Sequence, residues 1–342
     1  MERRVVVIGG GVAGMECAGR LGRMGYAVTL IEKEASAGGH IKQWHQLFPD
    51  RRMGKEVVDY MNDIADHKNV SVLTGTTVES IVNEGLGFLV RTEGPSAIKT
   101  DAVVVATGFD LFDAAKKEEY GYGIYDNVIT SADLEDMFRS GKVVTTAGIA
   151  PKRVGIIHCV GSRDEKAGNF HCSKVCCVTA VKQAIEIRSL LPDTQVFCFY
   201  MDMRMGGPNY EELYRESQEK WNVNYIRGKV SEASENIEGR LVIKVEDTLA
   251  GRPLRMELDL LVLMSGMEMS AAGAALAEKS NLATGDNRFL ESLDQHYKSN
   301  ESPRRGIFYA GTCVAPMNIT ESISHARAAA VDVSEYLKNK IW

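Results

Sequence analysis

The sequence predicts an α/β chain in which one strand-and-helix unit, split between the two ends, carries a second α/β unit inserted between its halves. Three observations predict this. Near the N-terminus, RRVVVIGGGVAGMECAGRLGRMGYAVTLIEKE reads as strand, glycine-rich turn, helix, second strand and acid. Near the C-terminus, GIFYAGTCVAPMNITESISHARAAAVDV (306–333) reads as strand, a turn at Gly311 and a long helix. Between them lies a region with its own strands and with Cys159, Cys172, Cys176 and Cys177, four of the seven cysteines. The expected boundaries are 1–125 and 268–342 for the split domain and 126–267 for the insertion.

At 342 residues the chain is long enough for one large or two medium domains. A formal net charge of −6 and a pI near 5.8 argue against general nucleic-acid binding or a membrane-surface role. No run of about 18 apolar residues is present to span a bilayer, and charges interrupt the N-terminus, so neither membrane insertion nor a signal peptide is expected. Cysteines without disulfide spacing fit a reducing cytoplasm. The charge cluster KKEE at 116–119 reads as solvated.

Each element of the first unit has a physical reason. Gly9, Gly11 and Gly14 make G-x-G-x-x-G between a strand and a helix, and Glu32 follows Gly14 by 18 residues, at the tip of the second strand. Gly9 permits the tight turn, Gly11 lets the backbone approach a pyrophosphate, and Gly14 lets the helix, which opens at Val12 and Ala13, pack on the strand. The helix N-terminus faces the phosphates, and Glu32, with Lys33 beside it, accepts from a ribose hydroxyl. This is a dinucleotide site. Three further signals favour FAD over NAD. Gly38 and Gly39 recur in flavin domains where the chain crosses the dinucleotide. DAVVVATGFD (101–110) ends in Ala106-Thr107-Gly108, like the exit strand of flavoproteins with two dinucleotide-binding domains. Gly311 then opens a turn leading through Thr312 to Ile319 and Thr320 at a helix start. In those flavoproteins an Asp commonly follows this glycine, and here Thr312 stands in its place.

In the inserted unit, the strand RVGIIH (153–158) has no glycine motif after it. The cysteines stand there instead, as C-x12-C-x3-C-C, followed by SKVCCVTAVKQAIEIRSLL, which reads as an amphipathic helix. Cys172 and Cys176 are expected on one side of its first turn, with Cys177 adjacent and Cys159 closing from the loop. Thiolates so gathered are soft ligands for an iron–sulfur cluster or zinc. Helix dipole, Lys174 and Lys182 favour an anionic site. Zinc knuckles of the C-x-x-C type are absent, and buried core thiols remain an open alternative, the expectation for Cys17 and Cys198. The strand TQVFCFYM (194–201), the segments around 222–234 and 240–267, and a hairpin near 249–253 complete a second sheet. The helix after MGGPNY buries a stripe of Tyr210, Leu213 and Tyr214.

On CVGSRDE, HCSKVCCVTAVKQAIEIR, FCFYMDMRMGGPNYEELY, NYIRGKVSE and GTCVAPMNITESISHA, the chain resembles the A subunit of heterodisulfide reductase, in the short form of sulfur-oxidising heterodisulfide-reductase-like complexes. The resemblance covers nearly the whole chain. It implies a thioredoxin-reductase-like two-dinucleotide-binding-domain fold, FAD, and a [4Fe–4S] cluster held by Cys159, Cys172, Cys176 and Cys177. It further implies a cytoplasmic electron-transfer complex with B- and C-type subunits, in sulfur oxidation that uses lipoate-binding proteins. A C2 homodimer is the default for reductases of this kind. The A subunit of quinone-interacting oxidoreductase complexes shares these motifs. An NAD(P)H-dependent pyridine nucleotide-disulfide reductase and a structural zinc/FAD assembly subunit are the alternatives from other classes.

Lys182, five residues beyond Cys177, is the candidate to meet flavin N5 or O4, the contrary reading being a solvated lysine. His171, beside Cys172, is a candidate hydrogen-bond donor to the cluster, and His325 a candidate flavin contact; ordinary packing competes for both.

Overall fold

The computed structural model describes residues 3–339. The chain divides into two compact units: the first runs to Lys42, resumes over Lys55–Asp110 and returns from Glu268, and the second comprises Gln43–Gly54 and Leu111–Met267. The chain thus leaves the first unit at Asp110 rather than near 125, and a short segment after the Gly38–Gly39 pair packs with the second unit.

In the first unit five parallel strands lie in the order Ile307–Tyr309, Ala102–Val105, Arg4–Ile8, Ala27–Ile31, Val70–Leu73. The central strands are unbroken aliphatic runs because both faces are covered. Side chains alternate across the sheet. Val5 and Val7 pack with Leu21 of the helix Val12–Arg23 and with Ala326, Ala330 and Val333 of the helix Ile319–Asn339. Val6 and Ile8 pack with Ile81 and Val90 of an antiparallel meander, Val78–Glu84, Gly87–Thr92 and Ala97–Thr100.

The second unit repeats the scheme. Its parallel strands run Val128–Thr130, Leu260–Ser265, Arg153–Val160, Gln195–Tyr200, Asn224–Arg227. Leu134, Val181, Ile185 and Leu213, from the helices Ser131–Arg139, Cys176–Leu190 and Tyr210–Glu219, cover Val154, Ile156 and Val262 on one face. Ile243 and Val245 of the meander Val230–Glu235, Leu241–Asp247 and Arg252–Leu258 cover Ile157, Leu261 and Leu263 on the other.

Two expectations are corrected here. The helix Cys176–Leu190 is not amphipathic, since Val178 and every residue from Ala180 to Ile187 is buried. KKEE is not wholly solvated. Lys117 is buried, with Nζ 2.7 Å from Asp164 and 2.8 Å from Glu119, and fastens the loop that follows the central strand.

Candidate dinucleotide cradle and cysteine site

Sterics fix the glycine turn of the first unit. Gly9 has φ +106, and a Cβ on it would lie 2.3 Å from the Ala106 carbonyl oxygen; on Gly14 it would lie 1.8 Å from that of Gly9. Gly11, by contrast, would place a Cβ in open space. Two of the motif's glycines therefore serve backbone packing, and the middle one leaves an approach free for a ligand. Gly10 N donates to Glu32 Oε2 at 2.6 Å and Glu34 N to Oε1 at 2.8 Å. Glu32 is buried, and its first task is to hold the turn. A carboxylate has about four acceptor positions, so the two backbone donors leave positions that a ribose hydroxyl could use. Lys33 lies on the surface, 3.9 Å from Glu34.

The other cradle residues converge on this turn. Gly38 N donates to Gly10 O at 2.7 Å, and a Cβ on Gly39 would come within 3.0 Å of the Gly11 Cα. A Cβ on Gly311, at φ +76, would lie 2.6 Å from that of Ala13, and one on Gly108 would lie 3.9 Å from Thr312 Oγ1. Ala106 is buried against Gly9 and Gly14, while Thr107 Oγ1 is buried with no hydrogen-bond partner among the described residues. Ile319 and Thr320 open the last helix, where Asn318 and Glu321 cap each other: Glu321 N donates to Asn318 Oδ1 and Asn318 N to Glu321 Oε2. His325 is not a bare ligand contact, because its Nδ1 accepts from Gly311 N at 3.0 Å and props the turn. Burial lowers its pKa, so the imidazole stays neutral and can accept. An open glycine, a buried orphan hydroxyl and a helix N-terminus together fit a dinucleotide.

The second unit places its thiols where the first places its glycines. The strand Arg153–Val160 shifts register between Ile157 and Val160, and Cys159 takes φ +58. Cys159 thus stands at the end of the strand rather than in the loop, and of the eight non-glycine residues at positive φ among those described, Cys159, Arg163 and Lys174 fall in this one stretch. Such conformations cost about 1–3 kcal/mol each and persist where the surroundings over-determine them. Those surroundings are visible. Asn169 Nδ2 donates to Gly161 O, Asp164 and Asn169 exchange backbone hydrogen bonds, and Ser173 Oγ, which shares a hydrogen bond with Ser162 Oγ, accepts from Met267 N at 2.8 Å.

The helix begins at Cys176, not at Ser173, because Lys174 turns left-handed at φ +60. Cys172 is therefore off the helix. It is half-buried, and its Sγ accepts from Lys174 N at 3.4 Å. The other three thiols are buried together. The sulfurs of Cys159 and Cys176 are 3.7 Å apart, and Cys177 Sγ lies 3.6 Å from Asp202 O. Cys176 is the shared donor: its S–H lowers the thiol of Cys159 and, with His158 beside it, brings Cys177 down to about 4, while Cys176 itself is raised. Cys17, Cys198 and Cys313 differ sharply. Burial raises all three thiols, that of Cys313 to about 12. His171 Nε2 bonds Met267 O at 2.9 Å and anchors the loop.

A zinc site needs at least three donors about 2.0–2.3 Å from one point. Among the described residues no three His, Cys, Asp or Glu side chains are grouped to hold one ion. A [4Fe–4S] cluster asks for something else, one thiolate for each of four irons at separate corners. Two of the four thiols, Cys159 and Cys177, are biased toward thiolate beside a helix N-terminus with no side-chain cap, the form of ligand a cluster takes.

Lys182 is buried rather than solvated. Its ammonium is held by Glu135 and by Glu186, the latter at 2.8 Å, and stands 5.7 Å from the centre of the Phe138 ring. One missed partner, Glu186, carries a signal in the sequence: a lysine and a glutamate four apart on one helix.

Comparison with known proteins bears on this geometry. Residues 1–141 match the family described as pyridine nucleotide-disulphide oxidoreductase. The chain is 31% identical to the iron-sulfur A subunit of the CoB–CoM heterodisulfide reductase of Methanocaldococcus jannaschii, over 98% of this chain and 64% of that protein. It is also 31% identical to the A subunit of the ferredoxin/F420H2-dependent CoB-CoM heterodisulfide reductase of Methanosarcina acetivorans, over 98% and 53%. It thus spans between half and two thirds of the length of these relatives. Among solved structures it superposes on thioredoxin reductase of T. acidophilum with a TM-score of 0.68 at 19% identity, covering 98% and 99% of the two chains. On the Lactococcus lactis enzyme the TM-score is 0.69 at 17% identity, covering 99% and 100%. Among the described residues no helix is long and apolar enough to cross a membrane. The chain therefore has the thioredoxin-reductase fold, its residues 1–141 match the pyridine nucleotide-disulphide oxidoreductase family, and over nearly its whole length it is similar to the A subunits of heterodisulfide reductases.

Proposed function

We propose that this chain is the FAD- and [4Fe–4S]-containing electron-transfer subunit of a heterodisulfide-reductase-like complex. The observation that carries the reading is the substitution at one place in the fold. Between central strand and following helix the first unit has the three-residue glycine turn 9–11, and the second has the fifteen-residue loop 161–175, framed by thiols. The first cradle holds FAD through Gly9, Gly11, Gly14, Glu32, Gly38, Gly39, Thr107, Gly108 and the turn at Gly311. Cys159, Cys176 and Cys177, with Cys172 from the loop, hold the cluster. Bound together, a flavin exchanges electrons singly or in pairs and a cluster singly, which divides a two-electron event into one-electron steps. The protein's part is to present backbone N–H groups to the pyrophosphate and to bias Cys159 and Cys177 toward thiolate near a helix N-terminus. Lys182 enters as the cation of a buried network.

B- and C-type partner subunits, a sulfur-oxidising setting with lipoate-binding proteins, a cytoplasmic location and a C2 dimer belong to this proposal on the strength of the sequence resemblance. Visible and EPR spectra of anaerobically purified protein test its core. One FAD and about four irons per chain are expected; extracted NAD, or stoichiometric zinc without iron, would overturn it. For the NAD(P)H-dependent alternative, the second unit lacks the glycine turn that a pyrophosphate requires. Flavin reduction by NADH or NADPH at about 1 s⁻¹ or faster would restore that alternative. Light scattering at micromolar concentration tests the dimer, and a monomer would refute it.

A further inference from the structure

A second group of buried ionisable side chains lies deeper in the second unit. Lys182 and Glu186 stand one turn apart on the helix Cys176–Leu190, Nζ 2.8 Å from Oε2. Glu135, on the helix Ser131–Arg139, accepts from the same ammonium and from Gln183 Nε2 at 2.7 Å, and its other oxygen accepts from His45 N at 2.8 Å. His45 Nδ1 lies 2.9 Å from Glu186 Oε1. Side-chain exposure is 2% for Lys182 and Glu135, 5% for Glu186 and 25% for His45. Two carboxyl groups therefore share one ammonium out of water, and the contacts end at an imidazole that reaches solvent.

The ammonium balances one carboxylate. A second, left ionised there, is strongly disfavoured, and a proton is the ordinary remedy. Geometry selects its holder. Glu135 has three donors, whereas Glu186 has His45 Nδ1 at Oε1 and, at Oε2, only the ammonium, close but out of line for a hydrogen bond. Burial raises the Glu186 pKa against the pull of Lys182. The charged groups acting on Glu186 are Lys182 on its own helix, Glu135 on the next and His45 from the segment 43–54. The helix Tyr210–Glu219 turns Leu213 inward and keeps Glu216 on Arg51 and Trp221. The strands beneath offer Val154, Ile156, Val196 and Val262.

We propose that Glu186 and His45 hold one exchangeable proton between them, loaded from solvent through His45, and that this site fills when electronic charge is added at the thiol end of the same helix. Glu186 is nine residues beyond Cys177, about 13 Å of helix. At that distance, with an effective dielectric near 20, one added negative charge strengthens proton binding on the order of tenfold. With a cluster bound, one electron taken up from a low-potential one-electron carrier would be matched by one proton from solvent entering the Glu186–His45 pair, and both would leave on oxidation. The proton site stands on the geometry alone, and its coupling to electrons rests on the proposed function.

Thermal unfolding of the whole chain across pH tests the proton site in wild type, Glu186→Gln and His45→Asn. A carboxyl group that binds its proton more tightly folded than unfolded stabilises fully below the ordinary carboxyl range and loses that contribution as pH rises through its raised folded value. The wild-type-minus-Glu186→Gln difference should fall with rising pH across that window, and His45→Asn should change its shape. A flat or rising difference overturns the site, since an ion-paired carboxylate gives the opposite slope. If Glu186→Gln does not fold, the infrared band of a protonated carboxyl in wild type at pH 7, shifting in D2O, decides the matter; its absence overturns the site. EPR-monitored titration of the cluster tests the coupling. The midpoint potential should fall with pH in wild type, and Glu186→Gln should lose that slope. A pH-independent wild-type potential overturns the coupling alone. Absence of any cluster signal overturns the coupling together with the proposed function, while the unfolding curves still judge the proton site.

Discussion

The two units share one construction in two chain orders. Each has five parallel strands with helices on one face and a three-stranded antiparallel meander on the other. The central strand Arg4–Ile8 answers to Arg153–Val160, Ala27–Ile31 to Gln195–Tyr200, Val70–Leu73 to Asn224–Arg227, and Ala102–Val105 to Leu260–Ser265. The edge strand comes last in the first unit, as Ile307–Tyr309, and first in the second, as Val128–Thr130. With the sheets equivalent, the difference in chemistry lies in the connection after the central strand. Scaffold and site are separable, and the site is grafted on.

The comparison breaks most severely if Cys159→Ser retains iron. This variant should lose the [4Fe–4S] signal outright and keep the FAD, because Cys159 belongs to the end of the second unit's central strand and not to the glycine cradle. Four irons per chain with an unchanged spectrum would show that the thiols do not play the part of the glycines. Next in size is Gly14→Ala. Its methyl group meets the Gly9 carbonyl at 1.8 Å, an overpacking that costs about 3 kcal/mol or more. Denaturant melts should show that loss and the purified protein should lack flavin; a wild-type melt would mean that the turn is looser than drawn.

Glu32→Ala is expected to be milder. It strips the acceptor from two backbone N–H groups, costing about 1–3 kcal/mol for each left unsatisfied, and flavin retention should weaken with stability. Gly11→Ala sharpens the contrast within the motif. Its methyl points into open space, so stability should change by only about 1 kcal/mol or less, yet flavin affinity should fall. Equal effects on both properties would contradict a cradle. Smallest of all in its effect on iron is Cys17→Ser, which buries a hydroxyl in the first unit's core. It should cost about 1–3 kcal/mol and leave iron content unchanged; iron loss here would mean that the cluster depends on more than its own unit.

Legibility follows the same divide. Gly9, Gly14 and Glu32 can be read because the turn tolerates nothing else at those positions, so the constraint is written in residue type. The cysteines are legible as a set, but the start of their helix is not. Nothing in SKVCCV announces that Lys174 turns left-handed, since lysine is not selected for that conformation and the loop's other bonds impose it. The burial and ion pairing of Lys182 are illegible for a related reason. Periodicity distinguishes a buried face from an exposed one, and a helix buried nearly all round offers no such contrast. Glu135 and His45, its surroundings, come from distant segments that no local pattern connects to it.

The permuted edge strand has a consequence for synthesis. The second unit's sheet is complete once Leu260–Ser265 has left the ribosome, being encoded without interruption from Val128 onward. The first unit's sheet must wait for Ile307–Tyr309. Until then Ala102–Val105, four buried aliphatic residues paired on one side with Arg4–Ile8, leaves its other edge open and sticky through the translation of some two hundred further residues. Growing chains should therefore be most prone to misassociate while the inserted unit is being made, the interval in which a chaperone has most to protect.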